Sequence, residues 1–80
     1  MEYRELGRTG LRVSEIGLGC EGFVGKTEEE TQALMTQAVE AGVNCMDLYT
    51  PDPDLRSRVG RALRGRREQF VLPAHLCTVW

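Results

Sequence analysis

Two residues suited to proton transfer lie at the end of an apolar run in the middle of the chain. Asp47 closes the run that begins at Val43, and Tyr49 follows two positions later. Residues two positions apart in a β-strand point to the same face, so we expect the carboxylate and the phenol on one side of the chain. Both groups are used by enzymes to donate or accept protons. Tyr49 has two interpretations: a proton donor supplied from a loop that Pro51 and Pro53 reshape, or a side chain that fills space at the strand end.

The glycine-rich segment GLGCEG is a second candidate site. Gly17, Gly19 and Gly22 have the spacing G-x-G-x-x-G, and Asp47 closes the next predicted strand. This pattern is typical of Rossmann domains, in which the helix begins at the third glycine and its N-terminus faces a pyrophosphate. Here the five residues 23–27 separate Gly22 from the predicted helix start at Glu28. The spacing therefore argues against a dinucleotide-binding motif.

The cysteines, together with an aspartate and a histidine, give only a weak indication of a metal site. Cys20, Asp47, His75 and Cys77 are suitable zinc or iron ligands by type, and all lie near the predicted ends of strands. They lack the tight spacing of known metal sites, so we predict no metal and treat the cysteines as small buried hydrophobes. The three cysteines, of which the third is Cys45, show no C-x-x-C pair. This pattern indicates a reducing, cytoplasmic setting rather than a disulfide framework.

The elements that must position these residues alternate between strand and helix patterns. The turn GRTG separates two short alternating runs, which predicts a β-hairpin over residues 3–14. Thr27 and Glu30 form a capping-box pattern ahead of the first helix, and Gly42 is placed to end it. Asp52 or Asp54 can cap the second helix, which Gly65 stops. The predicted barrel-forming elements are a strand over 15–20, a helix over 28–41, a strand over 43–49, a helix ending near 64 and a strand over 70–76.

Apolar periodicity predicts which face of each helix is buried. In the first helix, the apolar face is marked by Leu34, Ala38 and Ala41, and residues 33, 35 and 39 widen it. The second helix is expected to bury Leu55, Val59, Ala62 and Leu63. Gly60 lies in the middle of the second helix, where glycine costs about 1 kcal/mol relative to alanine. We therefore expect Gly60 to pack closely against a neighbouring element.

Composition limits the function class. The 80 residues are 41% hydrophobic and 28% charged, which is ordinary for a globular domain. The net charge of −2 predicts no nucleic-acid partner, and six arginines between positions 56 and 67 fit a solvated helix face. No apolar run approaches the ~20 residues that a membrane span needs, so we expect no membrane partner.

Three segments, YRELGRTGLRVSEIGLGCEGFVG, AVEAGVNCMDLY and VGRALRGRREQFVL, together resemble the N-terminal part of the aldo-keto reductase family. The resemblance runs over essentially the whole chain. It implies an α/β fold: an N-terminal β-hairpin followed by β-α-β-α-β, the first part of a (β/α)8 TIM barrel. A whole barrel takes ~250 residues, so residues 1–80 would be an N-terminal fragment of one barrel domain, with the hairpin at 3–14 and the first barrel strands and helices at 15–80.

The resemblance also implies a function and a set of site residues. The family consists of oxidoreductases that reduce aldehydes or ketones by hydride transfer from NADPH, with a catalytic Asp, Tyr, Lys and His. Asp47 matches the family Asp. The family Tyr position is Asp52 here, so Tyr49 is out of register. The family Lys position is occupied by His75, which would pair with Asp47 to orient a tautomer or relay a proton. Cofactor contacts are expected near Gly19, Cys20 and Asp47.

Departures from the family pattern leave other interpretations open. DLYTPDPDLRSRVGRALRGRR and HLCTVW resemble a branch of aldo-keto reductase-like proteins in which the usual Tyr and Lys are replaced. Some members of that branch add an iron–sulfur segment, which would lie outside this chain. A non-catalytic binding module is the second hypothesis, and a Rossmann domain is the third. The 80-residue chain alone is expected to bind NADPH weakly and to be inactive. If the chain exists alone, its three uncovered strands predict self-association or disorder.

Overall fold

The computed structural model describes residues 1–75 and contains a hairpin, a small parallel sheet and two helices. The hairpin strands β1 and β2 are Tyr3–Glu5 and Arg12–Ser14. The parallel strands β3 and β4 are Leu18–Gly19 and Met46–Asp47. The helices α1 and α2 are Glu28–Glu40 and Pro53–Ala62, and short 3-10 helices cover Cys20–Phe23 and Arg67–Gln69.

The predicted hairpin over 3–14 is confirmed. β1 and β2 are antiparallel, and Tyr3 is paired with Ser14. Gly7 and Gly10 have φ values of 58° and 77°, which only glycine adopts readily, so the turn GRTG can reverse the chain within four residues.

Asn44 attaches the hairpin to the sheet. The backbone N–H of Ser14 donates to Asn44 Oδ1 at 2.6 Å, and Asn44 Nδ2 donates to the carbonyl of Arg12 at 2.8 Å. At the same open end of the hairpin, on the paired strand, the hydroxyl of Tyr3 donates to the carbonyl of Gly42 at 2.6 Å. These contacts satisfy polar groups of the hairpin that strand pairing leaves free.

The two central strands are parallel and shorter than predicted. Leu18 is paired with Met46, and Gly19 with Asp47. A parallel pair of consecutive strands joined by a helix is the βαβ arrangement that the alternating pattern indicates.

The predicted third strand over 70–76 is present only as two isolated parallel bridges, Cys45 with Val71 and Leu48 with Ala74. Pro73 explains the interruption, because proline has no N–H to donate to a strand ladder. Its carbonyl still accepts from the N–H of Leu48 at 3.0 Å, so the segment 71–74 stays beside β4. The sheet order is therefore β3, β4 and segment 71–74.

Helix α1 begins as the capping box predicts, but its buried face differs from the prediction. The hydroxyl of Thr27 accepts from the N–H of Glu30, and the Glu30 carboxylate accepts from the N–H of Thr27. Thr31 and Met35 are fully buried, whereas Leu34 is 37% exposed. The predicted face is therefore buried at Met35 and partly buried at Val39, whereas Leu34, at the centre of the prediction, is exposed.

Helix α2 buries the residues that the sequence predicts: Leu55, Val59, Ala62 and Leu63 are all at most 4% exposed. The prediction for Gly60 was wrong. Among residues 1–75, a Cβ placed on Gly60 would meet no atom within 4 Å, so no described residue packs closely against this glycine.

The core lies where the helices and the 3-10 helix after β3 cover the sheet. It consists of buried residues from the first 3-10 helix, α1, β4 and α2, and from the positions directly after β4, α2 and the second 3-10 helix: Cys20, Phe23, Met35, Met46, Leu48, Leu55, Val59, Ala62, Leu63 and Phe70. Since Met46 and Leu48 point into this core, Asp47 between them faces the opposite side of the strand. Among residues 1–75, neither helix is long and apolar enough to cross a membrane.

Candidate functional site

Asp47 and His75 meet at the carboxyl ends of neighbouring parallel segments. Asp47 is the last residue of β4, and His75 directly follows the bridge between Leu48 and Ala74. The distance from His75 Nε2 to Asp47 Oδ1 is 2.8 Å. The two side chains are 47% and 51% exposed, so the pair faces solvent and remains accessible to a ligand.

The contact fixes how His75 can handle a proton. A carboxylate can only accept, so Nε2 carries the hydrogen and donates it to Asp47. The second ring nitrogen, Nδ1, is then the acceptor of a neutral imidazole or a further donor when the ring is charged. An Asp–His pair of this kind can orient the imidazole and transfer a proton at Nδ1.

Tyr49 lies beside the pair but is not in the same hydrogen bond. Its ring centroid is 6.5 Å from that of His75, and the two rings are nearly perpendicular, at 80°. Tyr49 is half-buried, and its neighbours Leu48 and Thr50 are buried. The edge-to-face contact is a favourable aromatic geometry, which helps to fix the imidazole plane.

Asp52, at the position where the family Tyr is expected, has a structural role. It is the N-cap of α2, and its Oδ1 accepts from the N–H of Asp54 at 3.0 Å. Pro53 follows at the first helical position, which favours a helix start there. Asp52 and Pro53 therefore serve to start helix α2, and they do not supply a proton donor.

Cys20, predicted near the cofactor, has a fully buried side chain. Burial raises the pKa of its thiol to about 11, and the nearby charges of Asp47 and Glu21 act in the same direction. The thiol is thus a protonated core group at neutral pH, and any ligand contact at this position falls to the backbone.

Glu21 is a site residue that the motif interpretation of GLGCEG missed. Its carboxylate folds back over Gly19, and a Cβ on Gly19 would overlap it. Because Gly19 is the register partner of Asp47, Glu21 adds a second carboxylate near the ends of β3 and β4. The signal available in the sequence for this residue was an acidic side chain two positions after the end of a strand.

The Rossmann alternative receives no support from the helix position. Gly22 lies inside the 3-10 helix, and α1 begins only at Glu28. The N-terminal N–H groups of α1 are therefore not adjacent to the third glycine, as a pyrophosphate site requires.

No group of three histidine, cysteine, aspartate or glutamate residues could hold a metal ion within residues 1–75. Cys77, considered as a ligand by type, lies outside the described residues, as does the rest of HLCTVW after His75.

Two apolar grooves lie away from the Asp47–His75 pair. The α2 groove has a volume of about 300 Å³ and lies between α2 and Leu72, with arginines along it. The α1 groove has a volume of about 490 Å³ and lies between α1 and β3. Neither groove is lined by Asp47, Tyr49 or His75, so this group lies on an open rim; Gly19, the register partner of Asp47, lines the α1 groove.

Comparison with known proteins identifies longer relatives. No protein-family model matches the chain. The oxidoreductase YqkF of Bacillus subtilis, itself uncharacterized, is 33% identical over 84 aligned positions, which cover 100% of this chain and 26% of that protein. YrpG of Bacillus subtilis, also an uncharacterized oxidoreductase, is 46% identical over 48 residues, or 59% of this chain and 15% of that protein.

Two solved structures of longer proteins superpose on this chain. PA4992 of Pseudomonas aeruginosa, assigned to the aldo-keto reductases, superposes with a TM-score of 0.83 at 34% identity. The match covers 92% of this chain and 30% of that one. A second crystal structure of an assigned aldo-keto reductase from Pseudomonas aeruginosa gives a TM-score of 0.81 at 35% identity, over 90% and 30% of the two chains. The 80 residues thus span less than a third of each of these relatives.

Proposed function

We propose that this chain supplies the first part of an oxidoreductase active site, because it resembles the N-terminal part of the aldo-keto reductases in sequence and fold. The complete protein would reduce an aldehyde or ketone with NADPH. The observation that carries the proposal is the 2.8 Å contact between Asp47 and His75 at the ends of adjacent parallel segments. In barrel enzymes, catalytic side chains come from this end of the strands.

Asp47, His75 and Tyr49 have distinct proposed roles. Asp47 accepts from His75 Nε2 and fixes the imidazole, so that Nδ1 can hold or release a proton. Tyr49, packed edge-on against this ring, donates a proton to the carbonyl oxygen. His75 thereby replaces the lysine of the family as the partner of the aspartate.

The rim residues suit only one end of a nicotinamide dinucleotide. Gly19 presents a side-chain-free surface for a flat ring, once the Glu21 carboxylate moves aside, and the backbone of Cys20 lies next to it. A bound nicotinamide cofactor would supply the hydride. Gly19, Cys20 and Asp47 include no basic side chain for the phosphates, so we expect the 80-residue chain to bind NADPH weakly and not to turn over. An iron–sulfur cluster, if the complete protein holds one, belongs outside this chain.

The test is carbonyl-dependent NADPH oxidation by a protein of barrel length that contains these residues. Asp47→Asn and Tyr49→Phe should each lower kcat by about a hundredfold or more, which is typical for loss of acid–base catalysis. Asp52→Asn is the matched control, since an asparagine caps a helix nearly as well as an aspartate. Turnover that survives both Asp47→Asn and Tyr49→Phe would contradict the assigned roles.

A ligand-binding module without catalysis is the second candidate. It is favoured by Asp52, which occupies the family Tyr position and is committed to capping α2. In that case the complete protein would bind NADPH, as measured by fluorescence titration, yet show no turnover with any carbonyl compound. Turnover with any carbonyl compound would eliminate this candidate.

A further inference from the structure

Two arginines of helix α2, Arg56 and Arg58, do not lie on a solvated face, contrary to the prediction for the arginines between positions 56 and 67. Both are half-buried, whereas Arg64 is exposed. Successive residues of an α-helix are about 100° apart, so the two arginines lie on opposite flanks of the buried stripe that contains Leu55 and Val59. Each of them therefore reaches a different neighbouring segment of the chain.

Arg56 holds the segment that follows β4. Its Nε donates to the carbonyl of Thr50 at 2.7 Å. The hydroxyl of Thr50, a buried residue, accepts from the N–H of Asp52 at 3.3 Å. Thr50 directly follows Tyr49, and the pairing of β4 with β3 ends at Asp47. These two hydrogen bonds, and not β3, therefore fix the backbone next to the Tyr49 phenol.

Arg58 holds the 3-10 helix that follows β3. Its Nη2 donates to the carbonyl of Phe23, the last residue of that helix, at 3.0 Å. The Nε of Arg58 is buried and has no hydrogen-bond partner among residues 1–75. An arginine that served only for solubility would keep this donor in water, because a buried donor without a partner is unfavourable. The contact with Phe23 and the packing around it therefore determine where Arg58 lies.

We propose that Arg56 and Arg58 are positioning residues for the candidate site. Arg56 positions Tyr49, and Arg58 positions the 3-10 helix Cys20–Phe23 beside Gly19. Each acts through one backbone carbonyl. Helix α2 thereby connects the segments that follow two adjacent parallel strands, at the end of the sheet where barrel enzymes place their catalytic residues. The inference rests on the proposed function for the roles of Tyr49 and Gly19, whereas the two contacts do not depend on it.

The two arginines should affect different kinetic constants of a protein of barrel length that contains these residues. Arg56→Met displaces the proton donor Tyr49, so kcat should fall by about tenfold or more, while the KM for NADPH should stay within about twofold. Arg58→Met loosens the surface that receives the nicotinamide at Gly19, so the KM for NADPH should rise by about tenfold, with kcat within about threefold. Methionine keeps an unbranched apolar stem and a good helix propensity, so both variants should fold. The exposed Arg64 provides the matched control, Arg64→Met, which should change neither constant.

Two measurements that need no turnover test the same positions. Tyr49 packs edge-on against His75, so Arg56→Met should shift the ring-proton resonances of His75 toward their values in a Tyr49→Leu variant, and Arg58→Met should leave them in place. Arg58→Met should speed the labelling of the buried Cys20 by a disulfide reagent about tenfold, because loss of a hydrogen bond from a charged donor loosens the segment. Arg56→Met should leave that rate unchanged. His75→Gln assigns the resonances, and mass spectrometry of the labelled peptide assigns the cysteine.

Failure of this inference and failure of the proposed function give different results. A wild type without carbonyl-dependent turnover contradicts the proposed function, and the His75 resonances and the Cys20 labelling rate then test the arginines alone. Kinetic constants, resonances and labelling rates that stay at their wild-type values in Arg56→Met and Arg58→Met would overturn the positioning roles. Equal changes of both signals in both variants would overturn them too, because such a result means a general loosening of the fold.

Discussion

We expect the thiol of Cys20 to react very slowly, although it lies next to the candidate site. Its side chain is fully buried and its pKa is raised to about 11 by desolvation first and by Asp47 and Glu21 second. At pH 8 a thiol of this pKa is about 0.1% ionised, whereas an ordinary thiol of pKa ~8.5 is about a quarter ionised. The thiolate is the reactive form, so ionisation alone slows Cys20 by about two hundredfold, and burial slows it further.

The same shift makes stability depend on pH in the alkaline range. Burial in the fold raises the pKa of Cys20 from 9.0 to about 11, so the folded chain holds this proton more tightly. The stabilising contribution is complete below pH 9 and is lost as the pH rises toward 11. Between pH 8 and pH 10 the loss is on the order of 1 kcal/mol from this group. Urea unfolding at both pH values, compared between the wild type and Cys20→Ala, isolates the contribution of the thiol.

The reactivity assay uses a chromogenic disulfide reagent at pH 8. The Cys45→Ser/Cys77→Ser background reports Cys20 alone, and Cys20→Ser/Cys77→Ser reports the half-buried Cys45 as the comparison. Asp47→Asn in the first background should speed Cys20 modestly, because it removes the second of three causes and leaves desolvation, the largest, in place. Equal rates for Cys20 and Cys45, or identical pH dependence of wild type and Cys20→Ala, would refute the reasoning.

Three further predictions concern the elements that hold the site in place, each measured as the free energy of unfolding in urea. Asn44→Ala removes the acceptor of the Ser14 N–H, which is part-buried, and should cost about 1–3 kcal/mol; no loss would mean that water replaces the amide. Gly42→Ala should cost at least about 1 kcal/mol, because φ is +89° and the new Cβ would lie 2.8 Å from the Tyr3 hydroxyl. A smaller cost in a Tyr3→Phe background would attribute the excess to that overlap. Thr27→Ala should cost about 1 kcal/mol as loss of the α1 cap, and Thr27→Ser should cost little.

Local signals in the sequence predicted most of the elements, because those elements depend on local chemistry. The capping box at Thr27 and the helix start at Asp52 depend on hydrogen bonds between residues at most three apart, and both are present. The buried side of α1 was not predictable in the same way. Leu34 and Met35 are adjacent apolar residues of one predicted face, and only packing against the rest of the chain decides that Met35 is buried and Leu34 exposed. The prediction for Gly60 failed for a related reason, since a glycine within a helix permits a close neighbour but does not require one.

The candidate site depends on an interaction that no local pattern contains. Asp47 and His75 are 28 positions apart, and the sequence placed them together only through the family resemblance. The structure adds a physical reason: Pro73 breaks the strand ladder yet accepts from the N–H of Leu48, which keeps the next residues level with the end of β4. A continuous strand would hold His75 through its backbone, whereas here the imidazole–carboxylate contact is itself part of what holds the segment. The pair is half-exposed, so its own contribution to stability is small, about 0–1 kcal/mol. The backbone hydrogen bonds to the carbonyls of Val71 and Pro73 therefore contribute more than the pair does to keeping segment 71–74 beside β4, and with it His75 beside Asp47.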